Sequence, residues 1–227
     1  MSLLEAAISW IAPPECISCG SEGSSLCIDC SGRLLPYGNR CWNCGSLTEN
    51  GRTCPHCRHT GSPSHVWITT NHEGLARDLL HSFKFEQNRA SADSISRLML
   101  ETNRNYSSED GLDYLVVPIP TATKRVRERG FDHSALLAKK IAQELRLEYR
   151  SVLARLGQTR QVGAKRSDRL KQMDSKFRVK RSASVLGRKI LLIDDVVTTG
   201  STLNAVSKTL HKAGATQVDA LVFAKRL

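Results

Sequence analysis

The sequence predicts an α/β fold, a mostly parallel sheet flanked by helices, preceded by a small N-terminal module whose order depends on its cysteines. Three observations carry that expectation. All eight cysteines fall before residue 58, in four Cys-x-x-Cys pairs. Beyond them, short apolar runs of strand length alternate with stretches of helical spacing, the pattern of strands joined by crossover helices. The clearest run, Ile190, Leu191, Leu192 and Ile193, is apolar at every position, as a strand covered on both faces must be. At 227 residues the chain can bury one substantial core beside a smaller module.

The cysteine pairs are Cys16/Cys19, Cys27/Cys30, Cys41/Cys44 and Cys54/Cys57. A Cys-x-x-Cys turn brings two thiolates onto one tetrahedral zinc, and two such turns complete a four-sulfur structural site. Eight thiolates therefore suit two structural Zn2+ ions. Disulfides would need an oxidising compartment, and a redox switch needs one pair rather than four. Sequential pairing, the first four cysteines and then the last four, is favoured over a cross-braced arrangement, though the spacing allows both. Gly20 and Gly45 follow a pair directly, where the knuckle turns tightly. Trp42, inside the third pair, is expected to cover its metal, and His56 and His59 to be solvated loop residues or phosphate contacts. So small a module lacks the apolar burial to fold alone, and metal supplies the deficit.

Residues 61–64, Gly-Ser-Pro-Ser, read as a linker between a zinc-ribbon module at residues 1–60 and a second unit at residues 65–227. In that unit residues 66–70 are strand-like. Leu75, Leu79, Leu80 and Phe83 have helical spacing, as do Ile95, Leu98 and Met99. Residues 114–117 form a second apolar run ending in Pro118-Ile119-Pro120, a stiff extended turn. Leu137, Ile141 and Leu145 mark a further helix, and a last strand lies near residues 218–223.

Hydrophobic residues make up 40% of the chain and charged residues 24%, which excludes a disordered chain. No apolar run approaches the ~18 residues of a membrane span and no apolar signal core follows a charged start, so a cytoplasmic location is expected. Lys and Arg number 33 against 22 Asp and Glu, a formal charge of +11 that makes polyanions credible partners. Residues 155–189 hold twelve basic residues and two acids, so the excess is concentrated there.

Residues 190–203 carry the most specific chemistry. Asp194 and Asp195 stand where the apolar strand should end, followed by Val196 and Val197. Thr198, Thr199, Gly200, Ser201 and Thr202 then precede a helical pattern of Leu203, Val206 and Leu210. Unpaired N–H groups at a helix start attract a phosphate, and the helix dipole favours its charge. A plain N-cap needs one hydroxyl and no paired acids. The segment resembles the 5-phosphoribosyl 1-pyrophosphate (PRPP) motif of type I phosphoribosyltransferases. That resemblance implies that Asp194 and Asp195 hold ribose hydroxyls as the catalytic acids and that residues 198–202 bind the 5-phosphate. It also implies Mg2+ bound with PRPP, and the turn at Pro118 to Thr121 lying against pyrophosphate.

With the cysteine pairs, Phe83-Lys84-Phe85, Pro118-Ile119-Pro120, the stretch from Lys124 to Asp132, residues 159–161 and 166–169, and Phe177, the chain resembles the ComF family over its whole length. Where members often carry Asn-Gln after Gly130-Phe131, this chain has Asp132-His133. The resemblance implies a competence protein, cytoplasmic, that binds PRPP and single-stranded DNA in natural transformation. Lys84 and Arg129 become candidates for offsetting pyrophosphate charge, and Arg166, Arg169 and Lys171 for holding the strand, with Trp42, Trp67, Phe131 and Phe177 available for stacking. Two other readings stand beside it: an active phosphoribosyltransferase whose acceptor, such as a nucleobase, is not legible, and a PRPP-sensing adaptor that docks a DNA-uptake channel or helicase.

Overall fold

The computed structural model describes residues 13–85, 90–106, 113–156 and 176–226. The strand-binding candidates Arg166, Arg169 and Lys171, with residues 159–161, lie outside them. After a one-turn helix α1 (Ile28–Ser31) in the cysteine module come β1 (Val66–Asn71), α2 (Gly74–Phe85), α3 (Ser91–Tyr106), β2 (Tyr114–Pro118), α4 (Thr123–Arg129) and α5 (His133–Leu145). Then follow β3 (Glu148–Tyr149), β4 (Leu153–Arg155), β5 (Phe177–Val179), β6 (Lys189–Val197), α6 (Ser201–Lys212) and β7 (Gln217–Lys225). Five strands form one sheet in the order β1-β7-β6-β2-β3, and every pairing in it is parallel. β4 and β5 make a separate antiparallel pair.

Alternation along β6 assigns its side chains to two hydrophobic layers. Ile190 and Leu192 join Leu203, Val206 and Leu210 of α6 on one face. Leu191 and Ile193 join Phe83, Ile95, Met99, Leu137 and Ile141 from α2, α3 and α5 on the other. The period-two geometry of a strand makes an unbroken apolar run serve both layers at once.

The cysteine module divides between the same two faces. Cys16, Leu26 and Cys30 pack with the α2/α3/α5 layer, and the Leu26 N–H donates to Ser94 Oγ at 3.1 Å. Cys41, Trp42, Cys54 and Cys57 pack with the α6 layer. The chain joins them at the base of the sheet, where Ser64 N donates to Val218 O and fully buried Asp219 accepts from His65 N, Gln217 Nε2 and the Tyr114 hydroxyl. Burial and that neighbouring carboxylate push the Tyr114 phenol far above its ordinary range.

One strand boundary differs from the sequence reading in a way that matters. β6 does not stop before the acids but runs on through Val197, because β7 keeps pairing with it: Asp194 stands opposite Val222 and Val197 opposite Lys225. On its other side the partner β2 ends at Pro118, opposite Ile193. Pro118 and Pro120 carry no N–H and cannot extend a ladder. Asp194 and Asp195 are thus held in a strand whose β2-facing edge has just been vacated.

Candidate functional site

At that vacated edge lies a cavity of about 370 Å³. It brings together Asp194, Asp195, Val196, Val197, Thr198, Gly200, Ser201 and Thr202 with Lys84 from α2 and Arg129 from α4. The Pro118 turn supplies Ile119, Pro120 and Thr121 to its wall. Arg125 of the Lys124 to Asp132 stretch and Arg155 at the start of the basic segment join it, and Ser134 and Arg226, which the sequence did not single out, complete it. Among the described residues its acids are Asp194 and Asp195 alone, so cationic side chains dominate the rim.

The two acids differ. Asp194 opens partly to the cavity yet is surrounded by protein; burial, and then the charge of Asp195, push its carboxyl up to about 7. Its Oδ1 accepts from the Ser134 hydroxyl at 3.0 Å and from Asp195 N at 2.9 Å, which fixes its orientation. Asp195 instead pairs with Lys84 Nζ at 2.8 Å, both side chains about 15% exposed. Lys84 reaches it from the last turn of α2, whose Leu79, Leu80 and Phe83 are locked in the core.

Asp132 and His133 have structural duties beside this site. Asp132 caps α5, accepting from Ala135 N at 3.2 Å, and its Oδ1 also accepts from Thr121 Oγ1 at 3.0 Å, which ties the Pro118 turn to the helix. His133 is buried edge-on to Phe83 and beside Phe131, and desolvation holds its imidazole below the usual range.

The loop after β6 is shaped from beneath by the cysteine module. Gly200 is left-handed, φ 70°, and caps α6, while the Thr199 hydroxyl lies 3.3 Å from Ser201 Oγ. Thr199 itself lines a neighbouring hollow with Tyr37, Asn43 and Lys225 rather than the main cavity. Lys225 Nζ donates to Thr198 O. The indole of Trp42, expected over its metal, is fully buried with its ring against Gly200, and its Nε1 donates to Thr53 Oγ1 at 2.9 Å.

The cysteines group as the first four and the last four, each set with its sulfurs within 4.8 Å of one another. Cys19 and Cys27 Sγ lie 3.7 Å apart and Cys44 and Cys54 Sγ 3.5 Å apart. A tetrahedral zinc with ~2.3 Å bonds separates its sulfurs by about 3.8 Å, so each set fits one structural zinc with no ligand position left for chemistry. Among the described residues neither His56 nor His59 joins a set.

Three of the four expected stacking residues are corrected by burial, while Phe131 is half-buried. Trp42, Trp67 and Phe177 are at most 5% exposed, because each fills a hydrophobic layer, and none offers a ring face to a base. Among the described residues the exposed ring is Phe85, 60% accessible, with the Arg129 guanidinium 4.9 Å from its centroid.

Known proteins share this chain's make-up. The phosphoribosyl transferase domain family matches residues 84–227 and the double zinc ribbon domain family residues 7–58. The competence protein ComFC of Streptococcus pneumoniae is 29% identical over 87% of this chain and 86% of its own length. The DNA utilization protein YhgH of Escherichia coli is 28% identical over 85% and 87%, and competence protein F of Haemophilus influenzae 27% identical over 90% and 93%. A solved structure described as the allosteric regulatory enzyme of purine biosynthesis superposes with a TM-score of 0.43, at 18% identity, over 59% of this chain and 26% of that one. Among the described residues no helix is long and apolar enough to cross a membrane. A double zinc ribbon joined to a phosphoribosyl transferase domain, and similarity to competence proteins along nearly the whole length, place the chain in the phosphoribosyl transferase domain family, as a ComF-family protein.

Proposed function

We propose that this protein binds PRPP or a related ribose phosphate in the cavity at the end of β6, and single-stranded DNA on its basic surface, and serves the handling of incoming DNA in the cytoplasm. The observation that supports this most is the convergence, in one cavity, of two acids of unequal character with a helix N-terminus and several cations. The carboxylates accept hydrogen bonds from vicinal ribose hydroxyls. The 5-phosphate meets the Ser201 and Thr202 hydroxyls and the first-turn N–H groups of α6, which lack intrahelical partners. Lys84, Arg125 and Arg129 stand on the α2 and α4 side, where a pyrophosphate would lie.

Asp194 and Asp195 are not joined by a third carboxylate, histidine or cysteine among the described residues, and one or two carboxylates suffice for a magnesium ion that shares substrate oxygens. Mg2+ would be held chiefly by oxygens of PRPP, with Asp194 and Asp195 alongside, and would neutralise the pyrophosphate. The chain's own residues orient the ribose, anchor its phosphate and keep the Lys84 charge beside the leaving group.

The test is a titration of PRPP followed by thermal stabilisation. Asp194→Asn with Asp195→Asn should abolish the shift, and retention of it rejects the site. Pyrophosphate release across a panel of nucleobases and nucleic acids then separates a transferase from a binding protein. Single-strand affinity across a salt series tests the DNA half: a flat, weak response rejects it.

A further inference from the structure

Phe85 ends α2 one residue past Lys84, with its ring 60% accessible, and it does not line the ribose-phosphate cavity. Its exposure sets it apart, since Trp42, Trp67, Phe83, Phe177 and Phe223 are at most 5% exposed. The ring has flat neighbours. The Arg129 guanidinium lies 4.9 Å from its centroid, and the His81 ring, one turn earlier on α2, lies 5.0 Å away at an interplanar angle of 36°. A guanidinium held over a ring presents a plane as well as a charge, and a base can add to such a row.

The adjoining helix continues the row as charge. α4 buries none of its residues, and its cations fall on two faces. Arg125 and Arg129, four residues apart, line the cavity; Lys124 and Arg127, three apart, do not. Lys124 has Glu128 beside it at 3.9 Å, but both are largely exposed, where an ion pair is worth little and yields readily to a phosphate. Arg127 is exposed as well. The outer face of α4 thus carries two cations that serve neither the core nor the cavity.

The surroundings decide what fits. No wall encloses this surface, so a free base or nucleotide would leave most of itself in water. A protein partner would meet no apolar centre, because among the described residues no other large exposed apolar side chain stands on α2 or α4. A single strand needs cations at its phosphates beside a flat group open to an unpaired base. We propose that single-stranded nucleic acid binds across the outer face of α4, with a base stacked on the Phe85 and Arg129 row and its phosphates on Lys124 and Arg127. The proposal rests on the strand-binding reading above and locates it.

The probe is a labelled oligothymidylate, titrated over a salt series into the full-length zinc-loaded protein beside an abasic deoxyribose phosphate chain of equal length and charge. Phe85→Ala should weaken the oligothymidylate by at least about fivefold, leave the abasic chain unaffected and keep the salt slope of the wild type, since no charge is lost. Phe85→Trp should retain binding, whereas Phe85→Leu, which keeps apolar bulk without a ring, should not. Lys124→Ala with Arg127→Ala should flatten the slope of log affinity against log salt by about 1.4, at ~0.7 per contact for single strands. Arg104→Ala with Lys139→Ala, an equal charge change at exposed positions on α3 and α5, should leave the slope unaltered.

If the wild type binds steeply with salt while Phe85→Ala or Phe85→Leu binds as tightly, the stacking site is overturned and strand binding stands. Loss of both probes alike in Phe85→Ala would mean that the ring acts through the fold rather than on a base, which also overturns it. If the α4 and control variants flatten alike, the effect is one of net charge and α4 is not the track. A wild type that binds no strand at all removes the underlying reading, and the site goes with it.

Discussion

The indole of Trp42 lies against Gly200 so closely that a β-carbon on the glycine would stand 1.8 Å from Cζ3. One residue belongs to a zinc knuckle and the other opens the helix that faces the candidate 5-phosphate. The contact makes the knuckle part of the loop's floor. Gly200 meets two constraints at once, since its φ of 70° also disfavours any side chain. Gly200→Ala should therefore cost the chain ribose 5-phosphate binding while its zinc content stays at two per chain, as calorimetry and metal analysis would show. Unaltered affinity would mean that the loop adapts and that the contact is incidental.

Among the described residues it is the second cysteine set that touches this loop. Cys41, Cys54 and Cys57 share a hydrophobic layer with Trp42, whereas Cys16 and Cys30 pack on the opposite face of the sheet. Cys41→Ser with Cys44→Ser should remove one zinc, release the Trp42 ring and weaken ribose 5-phosphate binding, with a red shift in tryptophan emission. Cys16→Ser with Cys19→Ser should also remove one zinc but leave that affinity within about twofold, because its contacts run to α3 through Leu26 and Ser94. Equal losses of affinity in both variants would point to a general loss of folding.

Much of this was legible in the sequence because it depends on local pattern. The Cys-x-x-Cys spacing dictates sulfur pairs, and the apolar run from Ile190 to Ile193 fits a strand buried on both faces. Sequential pairing of the cysteines is also what the structure shows. What was not legible depends on contacts between distant segments. α4 buries none of its residues, so no apolar period announced it. Ser134 of α5 and Arg226, just after β7, also reach the cavity, and nothing local marks them. Trp42 packs with Cys41, Cys54 and Cys57, as adjacency suggests, but nothing local shows that its ring also reaches the phosphate loop. Its partner Gly200 is 158 residues away.

Asp194 gives the protein a pH-dependent stability. Its carboxyl, normally near 3.8, rises to about 7 through burial and the charge of Asp195. A raised acid stabilises the fold fully below the unfolded value and loses that share as pH rises through the folded one. Asn at this position can accept the same bonds from Ser134 and Asp195 N without a charge to desolvate. The advantage of Asp194→Asn over the wild type should therefore grow, by on the order of 2 kcal/mol, between about pH 5 and about pH 8, and level off above that. Denaturant melts across that range, without ligand, would show it; parallel wild-type and variant curves would contradict it.

Lys84 and Asp195 form an ion pair mostly withdrawn from water, beside a second carboxylate. Removing the cation leaves Asp195 without its partner and facing Asp194, so Lys84→Ala should lose roughly 2–3 kcal/mol of stability. Lys84→Ala with Asp195→Asn should recover most of that loss, because the orphaned charge goes with its partner. The vacated cation position also predicts a metal response. Two carboxylates with no lysine between them attract a divalent ion, so magnesium chloride should raise the melting temperature of Lys84→Ala more than that of the wild type, and sodium chloride of equal ionic strength should not. A magnesium response equal in both proteins would show that Lys84 does not hold the place of a cation. The lysine would then serve only to neutralise Asp195 within the fold.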